Sequence, residues 1–277
     1  MKTFGEVVAL DGVDLSVSSG RVHGVAGPNG AGKTTLLGLL LGLTQADAGE
    51  LELAGDAAGF VDGPGLYPSL TARQNLAALA RLRGTGTGGI GDALERVGLA
   101  ELADDRVRGF SLGMRQRLGL AAAIMMRPRL LVLDEPSNGL DPAGKRHVHR
   151  ELTALAEQGA TVILSSHRMD DVAALCTEVT LLATGRVVFS GSIDDLTTDA
   201  AALDYRLRAS DVATARRVAA AVPDLELLPG TGDALVVRAA VAALDELVAR
   251  LVGAGIGVRE LAPVVPPLEA AFLALTA

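Results

Sequence analysis

Nine consecutive residues, GPNGAGKTT at positions 27–35, combine closely spaced glycines with a lysine and two threonines. Because glycine adopts backbone conformations that other residues avoid, such a segment can wrap around a polyphosphate and point its N–H groups at the anion. An apolar run precedes the motif and a leucine-rich run without proline follows it, which predicts a strand, a loop and a helix. This context predicts a site for a nucleoside triphosphate.

The residues of the motif predict separate roles on the triphosphate. Lys33 is expected to hold the β- and γ-phosphates, the Thr34 hydroxyl to bind Mg²⁺, and Thr35 to contact the α-phosphate side. An ordinary glycine-rich turn with a surface lysine is the alternative, and the flanking strand and helix disfavour it. The remaining nucleotide-binding positions of the loop are Asn29, Gly30, Ala31 and Gly32.

A second motif places two adjacent carboxylates, Asp134 and Glu135, after the apolar run LLVL at 130–133. Adjacent residues of a strand point to opposite faces, so the two acids should have different tasks. Asp134 is expected to hold the Mg²⁺ shell, and Glu135 could polarise the water that attacks the γ-phosphorus. A strand that merely ends in an acidic turn is the alternative, and the phosphate-binding motif upstream disfavours it.

Short apolar runs alternate with helical stretches as far as about residue 188, which predicts an α/β domain with a mostly parallel sheet. The continuously apolar runs 22–26, 130–133 and 161–165 are predicted to be its buried central strands. The first of them should be followed by a helix over 33–43. A helix-rich insert is predicted at about 69–126, and the glycine- and threonine-rich segment 84–89 within it should form a surface loop.

A different pattern begins at about residue 203, and it contains no phosphate, metal or catalytic motif. The order β-α-β-β-α-β is typical of a small ferredoxin-like α+β unit. We therefore expect a first domain at 1–198 and a C-terminal accessory domain at 203–277. The predicted elements are strands at 205–209, 225–228, 234–239 and 258–262, and helices at 212–221, 241–252 and 267–275.

Composition limits the classes of partner. The formal net charge is −8 and there is no long lysine or arginine run, so a nucleic-acid partner is not expected, because neutralising phosphates needs a basic face. Cys176 is the only cysteine, which excludes an intrachain disulfide and suits a reducing compartment. The longest apolar runs are shorter than the ~18–20 residues that cross a bilayer. We expect a cytoplasmic protein whose membrane association comes only through a partner.

With these motifs, the chain resembles the nucleotide-binding subunit of an ABC transporter over about residues 1–197. The segment FSLGMRQR at 110–117 is similar to the signature that separates this family from other phosphate-loop ATPases. SNGLD at 137–141 resembles the family's D-loop, and SSH at 165–167 resembles the segment that carries its switch histidine. Phe4 and the glycine after it resemble the loop whose aromatic ring stacks on adenine.

The resemblance implies that each ATP lies between two subunits arranged head to tail. Ser111 and Gly113 would contact the γ-phosphate of the nucleotide held by the other subunit, and His167 would contact the same phosphate and sense its loss. Asp141, in the D-loop, would belong to the nucleotide site. Glu135 would be the catalytic base.

Two segments depart from the commonest pattern of the family. Leu112 and Met114 replace the usual glycine and glutamine of the signature, a form that resembles signatures of a branch of bacterial exporters. Asp62 stands where a glutamine or glutamate usually reaches the metal and the attacking water. It is therefore a candidate catalytic and metal-binding residue with a shorter side chain.

The implied function is hydrolysis of ATP, with Mg²⁺, to power a separate transmembrane permease from the inner face of the cell membrane. A second nucleotide-binding subunit, expected to be identical, would complete the sites. The segments 62–71 and 266–276 look like those of drug, antibiotic or bacteriocin efflux ATPases, which favours export. The alternative is a soluble ATPase of this type that acts on ribosomes or DNA, but such relatives usually carry two cassettes or a long coiled-coil insert, and this chain has neither.

Overall fold

The computed structural model describes residues 1–198, 202–229 and 234–276. The chain divides into two compact units, an N-terminal unit over Met1–Ile193 and a C-terminal unit over Asp194–Leu275. The predicted division between domains 1–198 and 203–277 falls in part on residues 199–201, which lie outside the described residues.

The N-terminal unit contains one large sheet flanked by helices, and a separate hairpin. Its elements are β1 (Lys2–Phe4), β2 (Val7–Leu10), β3 (Val22–Ala26), α1 (Lys33–Leu40), β4 (Ala57–Phe60), α2 (Ala72–Leu82), α3 (Ile90–Arg96), α4 (Leu112–Ile124), β5 (Leu130–Asp134), α5 (Pro142–Glu157), β6 (Thr161–Ser166), α6 (Met169–Leu175), β7 (Glu178–Ala183) and β8 (Arg186–Ser192).

The large sheet has the strand order β4-β5-β6-β3-β7-β8, and only β8 runs antiparallel to its neighbour. All residues of β3 and β5 are buried, as expected for central strands covered on both faces. The predicted α/β class with a mostly parallel sheet is therefore confirmed. Ala26 lies beside Ser166 and Asp134 beside Ser165, so the carboxyl ends of β3, β5 and β6 meet at one edge of the sheet.

The helix after β3 is shorter than the sequence suggested, because α1 ends at Leu40 and not at residue 43. Gly42 has a φ of 68°, a left-handed conformation that suits glycine. The N–H of Gly42 donates to the Leu39 carbonyl, and the N–H of Leu43 donates to the Gly38 carbonyl. This pair of bonds closes the last turn, so the apolar residues beyond Leu40 do not extend the helix.

The predicted helical insert at 69–126 contains α2, α3 and α4. The Thr71 side chain accepts from the backbone of Gln74 while the Gln74 side chain accepts from the backbone of Thr71, a capping box that starts α2. Gly119 of α4 lies against the segment after β4, since a Cβ on Gly119 would lie 2.4 Å from the Cβ of Pro64. The insert thus packs directly on the segment that follows Asp62.

The C-terminal unit begins with a short helix and continues as a four-stranded antiparallel sheet in the order β10-β11-β9-β12. The β-α-β-β-α-β order matches the prediction, and the sheet order is the one that a ferredoxin-like unit adopts. The elements are α7 (Ile193–Thr198), β9 (Leu203–Ala209), α8 (Val212–Ala219), β10 (Leu225–Leu228), β11 (Leu235–Ala239), α9 (Val241–Gly253), β12 (Val258–Pro263) and α10 (Pro267–Thr276).

The core of the C-terminal unit is formed by alternate residues of the strands and by one side of each of the helices α8 and α9. Leu207, Leu235 and Val237 of the sheet and Leu247 and Leu251 of α9 are almost fully buried. This alternation is the period-2 pattern of a sheet with one covered face. Within the described ranges, no helix of the chain combines the length and the apolar character needed to cross a bilayer.

Candidate functional site

A cavity of about 650 Å³ opens at the sheet edge where the strands β3, β4 and β5 end. A larger cavity of about 980 Å³ lies beside α1, and none of the predicted site residues lines it. The smaller cavity is therefore the candidate site. The predicted residues in its wall are Asn29, Gly30, Gly32, Lys33, Thr34, Thr35, Asp62, Asp134 and Glu135.

The segment 27–32 forms a tight loop that ends at the N-terminus of α1. Gly32 is the N-cap residue of this helix, with a φ of 101°. A Cβ on Gly32 would lie 2.5 Å from the Ala9 carbonyl oxygen, so no other residue fits here without moving the chain. The first turn of α1 carries no acidic residue. Its free N–H groups and the positive end of the helix dipole therefore favour an anion in the cavity.

Lys33, the first residue of α1, is buried inside this loop and is only 8% exposed. Its ammonium group donates to the Gly27 carbonyl at 2.7 Å and to the Pro28 carbonyl at 3.0 Å. Burial lowers the pKa of Lys33, while the carboxylates of Glu135 and Asp134 oppose this shift. The carbonyl groups of the loop therefore fix the position of the Lys33 ammonium group in the site.

Asp134 joins three segments of the chain through its carboxylate. Oδ2 accepts from the Thr34 hydroxyl at 3.3 Å and from the backbone N–H of Asp62 at 3.2 Å, and Oδ1 accepts from the Ser165 hydroxyl. Asp134 is 7% exposed, so these bonds satisfy a carboxylate that water barely reaches.

These oxygen atoms fit Mg²⁺, which takes one or two protein carboxylates together with phosphate oxygens and water. The Thr34 hydroxyl and the Asp134 carboxylate are such donors, and they lie in contact. In the part of the chain that the structure describes, no group of three His, Cys, Asp or Glu side chains could hold a metal ion by itself. Asp62 turns its backbone toward Asp134, with a φ of 57°, and its side chain is exposed.

Glu135 and His167 are in direct side-chain contact at the site. Glu135 Oε1 accepts from the backbone N–H of His167 at 2.9 Å and lies 2.8 Å from His167 Nδ1. The backbone N–H of Glu135 donates to Ser165 Oγ at 3.0 Å. Glu135 has a φ of 49°, a left-handed conformation that costs about 1–3 kcal/mol for a residue other than glycine. Contacts of both the side chain and the backbone of Glu135 thus hold its carboxylate in one orientation.

Several predicted residues lie outside the cavity wall. Phe4 is 52% exposed, and its ring lies 5.2 Å from Lys2 Nζ. Val7 and Val8 of the adjacent strand line the cavity instead. Ala31 turns into the core beneath the loop and is 2% exposed.

Ser111 and Asp141 each cap a helix. Ser111 Oγ accepts from the N–H of Met114 at the start of α4, and Asp141 Oδ1 accepts from the N–H of Gly144 at the start of α5. Both capping residues are exposed and outside the wall of the cavity. Gly113 is buried, since a Cβ there would lie 2.8 Å from the Gly139 carbonyl oxygen.

The unusual Leu112 of the signature has a structural partner. A Cβ on Gly139 would lie 2.5 Å from Leu112 Cδ2, so the leucine covers a glycine of the D-loop. Gly139 has a φ of 73°, and a side chain there would meet both strain and a clash. The leucine at position 112 and the glycine at position 139 therefore depend on each other.

Sequence reasoning missed other residues of the site. Arg115 and Gln116 of α4, Pro64 and Asn138 also line the cavity, and Ser165 bonds both acidic residues at the end of β5. Ser165 could have been found from its place, because it lies near the carboxyl end of the strand that neighbours β5, beside Asp134. Arg115 and Gln116 lie within the segment 110–117 that resembles the family signature, which is the signal that could have pointed to them.

Comparisons with known proteins agree with this geometry. Residues 10–138 match the protein-family model described as ABC transporter. An uncharacterized ABC transporter ATP-binding protein of Bacillus subtilis, YdbJ, is 34% identical over 99% of this chain and 92% of its own length. The daunorubicin resistance ATP-binding protein DrrA3 of Streptomyces coeruleorubidus is 36% identical over 99% of this chain and 93% of its own.

A solved structure gives the same result for the fold. The structure of an ATP-binding subunit of an ABC transporter superposes with a TM-score of 0.63 and is 26% identical, covering 69% of this chain and 86% of that one.

Proposed function

Because this chain belongs to the ATP-binding subunits of ABC transporters, a family of ATPases, we propose that it powers a separate transmembrane permease that exports a drug, an antibiotic or a peptide. One observation carries the catalytic part of the proposal. A loop lysine, a helix N-terminus and two differently oriented carboxylates surround a single cavity. The direction of transport rests on the relative named for daunorubicin resistance.

The loop 27–35 binds the triphosphate of ATP. The N–H groups at the start of α1 donate to the phosphate oxygens, and the Lys33 ammonium exchanges its carbonyl partners for the β- and γ-phosphates. Thr35 contacts the α-phosphate side. The exposed apolar hairpin residues Phe4, Val7 and Val8 supply contacts for the adenine ring.

Glu135 is the base that takes a proton from the attacking water. His167 orients the Glu135 carboxylate through two bonds to the same oxygen and meets the γ-phosphate with its exposed side. Thr34 and Asp134 would hold Mg²⁺, which neutralises phosphate charge when it is bound. Asp62, whose backbone bonds Asp134 and which also lines the cavity, would contact the water or the metal ion.

The site is completed by a second nucleotide-binding subunit, most simply another copy of this chain. The start of α4 is exposed, it carries no acidic residue, and Ser111 stands at its N-cap. This helix end therefore favours an anion brought to it from outside the chain. Ser111 and Gly113 contact the γ-phosphate across the interface, and Asp141 belongs to the same interface.

The permease places the subunit at the cytoplasmic face of the cell membrane. A soluble ATPase that acts on ribosomes or DNA is the other candidate, and neither relative supports it. The formal net charge of −8 also disfavours a nucleic-acid partner.

The test is export by the chain together with the membrane protein that co-purifies with it from its native cells. Cells that express both should extrude a cationic amphiphilic drug such as daunorubicin, and cells that express the membrane protein with the Glu135→Gln chain should not. If the chain purifies with no membrane protein and export is the same with either form, the transport proposal fails.

A mixing experiment tests the composite site. A dimer of one Lys33→Ala subunit and one Ser111→Arg subunit keeps one intact site, which combines Lys33 of the second subunit with Ser111 of the first. We expect that verified mixed dimers bind ATP at this site, whereas each pure variant dimer has none intact. Absence of binding in the mixed dimer would contradict the arrangement in trans.

A further inference from the structure

A buried ion pair lies next to the loop that carries His167. Asp171 is in the first turn of α6 and is 7% exposed. Both of its carboxylate oxygens accept from the ammonium group of Lys145 at 3.0 Å, and Arg168 Nε lies 3.7 Å away. Lys145 belongs to α5, the helix that follows the D-loop. The pair therefore ties the start of α6 to the start of α5.

His149 adds a second link on the same side of α5, one turn after Lys145. Its Nε2 lies 3.2 Å from Ser137 Oγ and 3.9 Å from an oxygen of Asp171. Ser137 is 8% exposed and stands two residues after Glu135. The imidazole thus bridges the segment after the catalytic carboxylate and the acid of α6.

These contacts close a ring around the catalytic pair. Glu135 continues along the chain to Ser137, which contacts His149, and His149 stands beside Asp171. Asp171 follows His167 by four residues, and His167 bonds back to Glu135. A short helix held at its first turn cannot shift without moving the histidine just before it. Displacement of α6 would therefore break the Glu135–His167 contact.

We propose that Asp171, held by Lys145, is a positioning residue that fixes the His167 loop so that His167 keeps the Glu135 carboxylate oriented for hydrolysis. The inference rests on the proposed function, in which Glu135 is the base. It concerns the chemical step and not nucleotide binding, because neither Asp171 nor Lys145 lines the cavity.

Asp171→Asn keeps the shape of the side chain and removes its charge. We expect kcat for ATP hydrolysis to fall about three- to thirtyfold, the range in which a residue outside a site changes its coupling, with KM for ATP unchanged. The matched control is Asp104→Asn, which breaks the exposed Arg73–Asp104 pair of the helical insert and should leave kcat unchanged. Near-normal kcat in Asp171→Asn, with the fold verified by circular dichroism, overturns the inference.

If Asp171→Asn does not fold, variants of Lys145, the more exposed partner of the ion pair, test the same inference. Lys145→Met should lower kcat, and Lys145→Arg should restore it because the guanidinium keeps the charge. Equal losses of kcat in the two Lys145 variants would show that the packing of this side chain matters and its charge does not, which would overturn the inference.

A double-variant cycle separates positioning from a general structural role. In a His167→Ala background, Asp171→Asn should have little further effect on single-turnover hydrolysis, because the group that it positions is gone. An unchanged fold-loss in that background means that Asp171 acts independently of His167, and the inference is wrong. Near-normal hydrolysis by Glu135→Gln would instead remove Glu135 as the base, the part of the proposed function on which the inference rests, so the two failures are distinguishable.

Discussion

The two units of this chain use buried polar groups in opposite ways. The N-terminal unit buries Lys33, Asp134, Ser165 and Asp171, each with hydrogen-bond partners, around or beside the cavity. Among the described residues of the C-terminal unit, every buried side chain is apolar, and ion pairs such as Asp204–Arg238 and Glu246–Arg250 lie at the surface. Buried charge is costly unless it is paired, so its concentration in one unit marks where the chemistry is.

The backbone shows the same contrast. In the N-terminal unit, Asp62 and Glu135 adopt positive φ at the cavity although neither is glycine. In the described part of the C-terminal unit, Asp224 is the one non-glycine residue with positive φ, and it lies in an exposed turn. Arg127 and Thr184 of the N-terminal unit also adopt positive φ, away from the cavity, so the strain that accompanies the site is that of Asp62 and Glu135 alone.

The largest expected effect is the loss of turnover in Glu135→Gln. An amide keeps the shape of the side chain but cannot accept the proton of water, so hydrolysis should fall by about 10²–10⁴-fold while ATP binding remains. The C-terminal control Glu246→Gln removes a carboxylate paired with Arg250 and should leave turnover unchanged. Measurement of turnover and of nucleotide affinity decides the matter, and a loss below tenfold would remove Glu135 from the role of base.

A pair of glycine substitutions compares the packing of the two units. A Cβ on Gly59 would lie 1.6 Å from the Val132 carbonyl oxygen, so Gly59→Ala should destabilise the N-terminal unit by about 3 kcal/mol or more. Gly255 has a φ of 73° with open space around it, so Gly255→Ala should cost only about 1–2 kcal/mol of backbone strain. Calorimetry of both variants checks the ranking, and equal losses would contradict it.

Acid should destabilise the N-terminal unit through His23. Burial lowers the pKa of His23, while the nearby Glu178 opposes the shift, and Nε2 lies 2.8 Å from Thr180 Oγ1. The folded state therefore holds neutral histidine at pH values where the unfolded chain is already protonated. Its stabilising contribution is complete above about pH 6.5 and is lost as the pH falls from there toward the lowered pKa.

The measurement is the melting temperature between pH 7 and pH 5.5. The melting temperature of His23→Gln should decrease less than that of the unsubstituted chain. Part of the decrease should remain in the variant, because burial also lowers the pKa of His149. No histidine occurs beyond residue 167, so the C-terminal unit serves as an internal control. An equal decrease in both proteins would exclude His23 as the source.

The smallest expected effect is on ATP affinity when the chain is cut after Thr198. The C-terminal unit has its own sheet and core, so a chain that ends at residue 198 should fold and bind ATP with near-normal affinity. A truncated protein that is folded by circular dichroism yet no longer binds nucleotide would show that the division into two domains is wrong.

The sequence predicts regular elements best where packing alone decides them. The strand over Val22–Ala26 has the predicted bounds, and the strands of the C-terminal unit differ from prediction by at most two residues. In these segments the positions of the apolar residues in the sequence match the positions that are buried in the structure. The helix after the phosphate-binding loop was predicted three residues too long, because the Gly42 stop outweighs the leucines around it.

The candidate site was predictable where a motif is continuous in sequence and not where the fold assembles it. The loop 27–35 and the acidic pair at 134–135 can be recognised from their residue types alone. By contrast, the contact of His167 with Glu135 and the bonds of Ser165 depend on the order of strands in the sheet. The place of Leu112 over Gly139 depends on how α4 meets the D-loop, which no local pattern encodes.

The strand order of the large sheet also determines how late during protein synthesis the N-terminal unit can fold. The strand before the phosphate-binding loop leaves the ribosome early, yet it pairs Val22 with Val162 and His23 with Glu178. At about 5–20 residues per second, both neighbours emerge on the order of ten seconds later. During this interval the nascent chain carries its nucleotide-binding motif without the strands that support it. Nucleotide capture therefore reports that the N-terminal unit has been completed, and nascent chains stalled before β7 should not show it.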